Sequence, residues 1–140
     1  MTRILTALVL IPLILYVVLA GPPLLVFLVV AIVAGICYDE YRRIAAGYGI
    51  ELMGLGFAAG FAMLAVPRDA LLVVIALALV ALALAMRAPN LETTLPRAAA
   101  MVFGVVYVFG SWKCAILLHG ASPHWLMYAL GINWTGDICA

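Results

Sequence analysis

Between Arg3 and Asp39 the chain carries no charged residue, and the run is divided by Gly21-Pro22-Pro23. Two apolar helices joined by that turn are the simplest structure for it, because the proline pair ends one helix and begins another. Long apolar runs alternating with short polar links continue to the last residue. Hydrophobic residues make up 69% of the 140 and charged residues 9%, against about 45–50% and about 25% in soluble domains. A water-soluble globule of this size cannot enclose so much apolar surface, which excludes a soluble enzyme. Disorder is excluded too, since disordered chains are poor in hydrophobes. Seven Lys and Arg against six Asp and Glu leave a net charge of +1, no basic field for nucleic acid. The expectation is all-α: one polytopic transmembrane helix bundle embedded in the lipid bilayer.

Charges and prolines divide the chain into apolar segments near 4–20, 24–38, 52–66, 70–86, 98–118 and 125–140. That is about five complete spans and the start of a sixth. The links between them are 21–23, 39–51, 67–69, 87–97 and 119–124. Crossing about 30 Å of hydrocarbon takes about 20 helical residues. Several runs are shorter, a deficit that snorkelling Arg and interfacial Tyr side chains accommodate. The runs are continuously apolar, whereas a barrel strand alternates over about ten residues. Gly54, Gly56 and Gly60 with Ala58, Ala59 and Ala62 give the third segment a small-residue face suited to close helix packing. No Lys-Ser/Thr follows these glycines, so they do not read as a phosphate loop.

Arg3, Arg42, Arg43, Arg87 and Arg97 fall on one side of this arrangement and Arg68 on the other, five against one with Lys113 inside a segment. The positive-inside rule then puts the N-terminus in the cytoplasm. Met1-Thr2-Arg3, an apolar core and Val18-Leu19-Ala20 have the outline of a secretory signal. The core is long, interrupted by Pro12 and followed at once by further spans, so the segment is read as retained. Cys37, Cys114 and Cys139 are odd in number and irregular in spacing. They offer neither a disulfide framework nor a zinc site and read as small helix- or lipid-facing residues. The chain stops at Ala140 in mid-segment with no flanking charge, which gives the expectation of a piece of a longer protein.

Ionisable groups at membrane depth cost about 2.5–3.5 kcal/mol on insertion scales, so they mark cavities or partners. Asp137 lies about thirteen residues into the last segment. At 1.5 Å per residue that is roughly 18 Å from the outer start, past the midplane toward the cytoplasm. Asn133, four residues earlier, shares its face, and Trp134 adjoins it. A carboxylate and an amide on one inward face suit a hard cation such as magnesium. A helix-end Asp reaching water fits the spacing equally well. Lys113 follows Trp112; it could pair with Asp137 or Asp39, and snorkelling to the outer headgroups is the preferred reading. Asp39-Glu40-x-Arg42-Arg43 reads first as a topology signal with helix-spaced ion pairs. Its sharper reading is a contact for a lipid headgroup or a nucleotide phosphate through Arg42 and Arg43. His119 and His124 read as loop residues, since two lone ligands make no metal site.

Several of these pieces, in this order and spacing, resemble the phosphatidate cytidylyltransferases (CDP-diacylglycerol synthases). They are Arg3-x-x-Thr6-Ala7-Leu8-Val9-Leu10-Ile11-Pro12, the Gly21-Pro22-Pro23 turn, and Tyr38-x-Glu40-Tyr41-x-Arg43. Phe103-Gly104-Val105-Val106-Tyr107-Val108 and Trp134-x-x-Asp137-x-x-Ala140 complete the set. The match runs the length of the chain and covers the N-terminal half or so of such an enzyme. The resemblance implies a membrane nucleotidyltransferase of phospholipid biosynthesis that joins CTP to phosphatidic acid, releasing pyrophosphate and making CDP-diacylglycerol. It implies a need for Mg2+ and work at the cytoplasmic face of a bacterial-type inner membrane. Asp137 matches the first of the family's acidic positions, and so takes the catalytic and metal-ligand role. Arg42, Arg43 and Asn133 are weak candidates for substrate binding. The family's Ser-Pro-Lys-Lys-Thr stretch, its second acidic residue and its C-terminal signature are absent. One carboxylate cannot make a two-metal clamp, so these 140 residues alone are expected to be inactive. The rival readings are a small transporter or channel lined by Lys113, Asn133 and Asp137, and a non-catalytic membrane anchor. A homo-oligomer is compatible with all three.

Overall fold

The computed structural model describes residues 2–52, 54–66, 70–88 and 90–139, with side chains from residue 11 to residue 136 of these. All regular structure among them is helical. The elements are α1 (Thr2–Ala20), α2 (Pro23–Gly47), α3 (Leu55–Ala65), α4 (Ala70–Met86) and α5 (Leu91–Gly104). A π-helical turn (Val105–Phe109), α6 (Gly110–Ala121) and α7 (Pro123–Cys139) follow. The α5 helix, the π turn and α6 form one continuous 31-residue rod, Leu91–Ala121. This rod and the 25-residue α2 are long and apolar enough to cross a membrane. The α3 and α4 helices, of 11 and 17 residues, are apolar but shorter.

Local chemistry accounts for the helix ends, and for where they depart from the sequence reading. Helix α1 runs through Pro12 instead of being interrupted there. It stops where the Gly21 amide bonds the Val17 carbonyl, and a side chain on Gly21 would collide with that carbonyl. Pro23 then opens α2, in the first turn, where its missing N–H costs no intrahelical bond. The second apolar run does not end its helix at Tyr38, because the charged stretch simply continues it for two more turns. Closure comes at Gly49, whose φ of +76° suits only glycine. There the Ile50 amide bonds the Ala45 carbonyl and the Gly49 amide bonds that of Ala46, a Schellman end.

The link expected at 87–97 is largely helix. Asn90 caps α5, its side chain accepting from the Glu92 amide at 3.0 Å while its carbonyl takes the Thr94 amide. Glu92 in the first turn complements the helix dipole. The link expected at 119–124 shrinks likewise, since α6 reaches Ala121 and Pro123 starts α7.

The chain forms two compact units, residues 1–30 with 114–140, and residues 31–113. In the first, α1 packs against α7, with Val18 and Leu126 buried. In the second, α3, α4, α5 and the π turn pack together around an aromatic cluster from α2, α3 and the π turn. Tyr38 meets Phe57 edge-on at 4.9 Å and Phe109 at 5.3 Å, and Phe61 meets Phe109 edge-on at 5.4 Å. Such pairs add about 0.5–1.5 kcal/mol each beyond their buried area. Three glycines make the approach possible. Gly56 lies directly under Tyr38, Gly60 under Phe109 and Gly104 under Tyr41, and a methyl group at any of them would collide with the ring.

The expected consequence is that Gly60→Ala costs about 1–3 kcal/mol by overpacking the buried Phe109 ring. Gly131→Ala, placed where a methyl meets open space, serves as the control. Thermal melts of helical circular dichroism in detergent should show a lower Tm for the first variant only; equal midpoints would contradict the packing.

A candidate site at the charged end of the second helix

Residues 38–43 fall in the second unit, where α2 leaves its apolar run. Helical spacing sends Tyr38 and Tyr41 inward and the arginines outward. The Tyr38 ring is buried, and its hydroxyl has no hydrogen-bond partner among the described residues. The Tyr41 hydroxyl donates to the Ala100 carbonyl at 2.9 Å, tying α2 to α5. Asp39 holds both arginines, Arg42 at 3.0 Å and Arg43 at 2.7 Å. These are the i,i+3 and i,i+4 pairs the spacing predicts. At such exposure they contribute about 0–1 kcal/mol each.

The Arg42 guanidinium also lies 5.7 Å from the centre of the Phe57 ring, a cation–π contact. Arg43 remains 80% exposed. With Glu40, Ile36 and Ile44 it lines an open depression on α2. The arrangement can present guanidinium to a phosphate oxygen, while Asp39 fixes where the positive charge sits.

Asn133 and Asp137 both fall in α7, four residues apart and so on one face. Asn133 is exposed. The side chain of Asp137 lies outside the described residues. These two belong to one unit and Arg42 and Arg43 to the other, so the site residues expected from sequence are distributed over both.

Magnesium was expected from the family resemblance. Among the described residues no three His, Cys, Asp or Glu side chains gather as a cation site, and Asp39 is already occupied by two guanidiniums. Asp137, the ligand that the resemblance implies, has its side chain outside the described residues.

Lys113 overturns its sequence reading. It neither snorkels outward nor meets a carboxylate among the described residues. It is only 6% exposed, and its ammonium donates to the Leu64 carbonyl at 2.8 Å and the Val66 carbonyl at 2.6 Å. The last carbonyls of a helix have no amide partner of their own, and the Lys113 ammonium supplies one for α3 from another helix.

The π turn makes this possible. Met101, Val105, Val108, Phe109 and Lys113 are buried, a pattern carrying one residue more than the 3.6 period allows. The extra residue is absorbed where the Gly110 amide reaches back to Val105 as well as Val106. His119, read as a loop residue, sits in the last turn of α6 with its Nε2 3.0 Å from the Val18 carbonyl. Cys37 and Cys114 are free thiols.

Backbone carbonyl acceptors leave no trace in a sequence, so the partners of Lys113, Tyr41 and His119 were not legible from residue types. The small-residue face of the third segment was legible. That it receives Tyr38 and Phe109 was not. No known protein family, curated protein or solved structure matches the chain.

Lys113→Met should strand two carbonyls without a donor, at about 1–3 kcal/mol per group. The expected result is a lower Tm in detergent, together with slow labelling of Lys113 by an amine reagent in the native protein. A methionine variant as stable as the parent, or rapid labelling, would contradict the cap.

Proposed function

We propose that the chain is part of a membrane nucleotidyltransferase that makes CDP-diacylglycerol and pyrophosphate from CTP and phosphatidic acid. The observation that carries this reading is Trp134-x-x-Asp137-x-x-Ala140, which sets a carboxylate on the Asn133 face of the last apolar helix. The order of the other resembling pieces supports it. So does a contact inside the second unit: Tyr41 of Tyr38-x-Glu40-Tyr41-x-Arg43 rests on Gly104 of Phe103-Gly104-Val105-Val106-Tyr107-Val108. Two of the pieces that carry the resemblance thus pack as one piece of scaffold, about sixty residues apart in the chain.

In this reading a phosphate oxygen of phosphatidic acid attacks the α-phosphorus of CTP. The bond from that phosphorus to the β-bridging oxygen breaks, and pyrophosphate carries away the electron pair. The protein's task is alignment and neutralisation of charge. Arg42 and Arg43 stand where guanidinium can meet phosphate oxygens at the helix end. Asn133 and Asp137 offer an amide and a carboxylate from α7. Asp137 would be the candidate ligand for magnesium in this chain, and the ion would supply neutralisation of the triphosphate charge.

The accompanying topology has about five complete spans and the start of a sixth, in a bacterial-type inner membrane. The N-terminus and the reaction lie on the cytoplasmic side, as the distribution of arginines supports. Transport is disfavoured by Lys113, which is spent on the carbonyls of α3 instead of lining a path. The anchor reading keeps one observation in its favour, since Tyr38, Tyr41 and Gly104 serve packing.

Asp137→Asn, made in the whole enzyme that this reading implies, decides between them. Turnover of CTP into lipid should fall about a hundredfold or more, as for loss of one charge-stabilising group, with membrane insertion unchanged. Undiminished turnover would remove Asp137 from the site, and a parent without CTP-dependent turnover would leave the anchor reading.

A further inference from the structure

Two neighbouring side chains of the rod carry a donor suited to the end of α3. Lys113 serves there, through the Leu64 and Val66 carbonyls. Trp112, half-buried one place before it, carries an indole N–H, which can donate but not accept. Which of the two meets α3 depends on one extra residue. In a regular α-helix, residues about seven or eleven apart share a face. Continued from Met101 and Val105, that face takes in Val108 and Trp112. The face observed holds Phe109 and Lys113 instead, because the π turn of Val105–Phe109 advances it by one residue. Val108 is itself buried, so both pairs lie along one seam, and the position of the π turn selects between them.

Little holds the turn where it is. The Gly110 amide bonds the Val105 and Val106 carbonyls at once, so the π and the α hydrogen bond coexist and a small shift separates them. The Ser111 hydroxyl donates to the Tyr107 carbonyl at 2.6 Å, which keeps that carbonyl satisfied during such a shift. On the outer side Val106 and Tyr107 are exposed. Tyr38, whose ring meets Phe109 at 5.3 Å, is buried with a hydroxyl that has no partner among the described residues. A bare buried hydroxyl is costly, and Val108 in place of the Phe109 ring makes room beside it.

We infer that the π turn is a register switch. In the second register the extra residue has passed along the rod beyond Lys113. Val108 replaces Phe109 on Gly60, and the Trp112 indole replaces the Lys113 ammonium at the end of α3. Only the segment between the two positions of the turn rotates, by about 100°. Lys113 then takes the exposed place that Cys114 holds here. The change at the end of α3 reaches the charged end of α2, since Phe109 packs on Tyr38, one turn before Arg42. The switch requires no nucleotide chemistry and stands apart from the proposed reaction.

Lys113 is the only lysine of the chain, so modification by an amine reagent, mapped by peptide mass, reports the second register. The full chain in non-ionic detergent is compared with a deletion of Val106. That deletion removes the extra residue and leaves Phe109 and Lys113 on the α3 face of a regular helix. It should keep the helical circular dichroism and Tm of the parent. Labelling of Lys113 should slow about tenfold or more, because access in the parent runs through a second state populated at about 0.1–10%. Phe109→Leu weakens the first register, and should speed labelling about tenfold by shifting that population. A 5-fluorotryptophan at position 112, assigned by Trp112→Phe, should then show a second resonance that the deletion lacks. Equal labelling rates in parent and deletion would overturn the switch. So would a deletion that melts well below the parent, since the extra residue would then belong to a single fixed structure. A single Trp112 resonance in a folded Phe109→Leu chain would overturn it as well. If that variant loses its helical signal, the comparison of parent and deletion decides alone.

Discussion

Aromatic rings resting on glycine backbones organise the second unit: Tyr38 on Gly56, Phe109 on Gly60, and Tyr41 on Gly104. Between helices surrounded by lipid, burying apolar surface gives little net drive, because the tails are as apolar as leucine. Association then depends on close packing and on interhelical hydrogen bonds. Both are present at the same places. The Tyr41 ring covers Gly104 while its hydroxyl bonds Ala100 one turn earlier. Phe109 covers Gly60, and Lys113, one turn later, bonds the carbonyls at the end of the same helix α3.

The π turn follows from that pairing. A regular α-helix from Leu91 to Ala121 cannot keep Met101 and Val105 facing one way and still bring both Phe109 and Lys113 to α3. One additional residue, absorbed without breaking the rod, brings both faces into line. Its local cost is a shared hydrogen bond at Gly110. In return α3 gains a donor for its terminal carbonyls, which in an apolar setting would be costly to leave bare.

Legibility from sequence follows the same physics. Helix class, the boundaries of α4 at 70–86 and the turn at Gly21-Pro22-Pro23 were readable, because long apolar runs and proline pairs act locally. The ion pairs of Asp39 with Arg42 and Arg43 were readable for the same reason. The helical character of 91–97 was not, because Pro96 and the charges outweighed the Asn90 cap. The burial of Lys113 was not, because its partners are carbonyls forty-seven and forty-nine residues away. At the candidate site, the charged pattern of 38–43 and the spacing of Asn133 and Asp137 were visible. The inward role of Tyr38 and Tyr41 depends on glycines in other helices and was invisible.

The scaffold therefore separates two kinds of residue within one short stretch. Tyr38 and Tyr41 hold α2 to its neighbours, and Arg42 and Arg43 face outward with their charge fixed by Asp39. The mark of the proposed chemistry is the fate of the α-phosphate. CTP labelled separately at its α- and γ-phosphorus, given with phosphatidic acid to membranes carrying the whole enzyme that this reading implies, follows that fate directly. The α-label should enter the lipid fraction and the γ-label should leave as pyrophosphate, neither occurring in membranes without the protein. An α-label that stays in water-soluble nucleotide, or a γ-label found in lipid, would contradict the assignment.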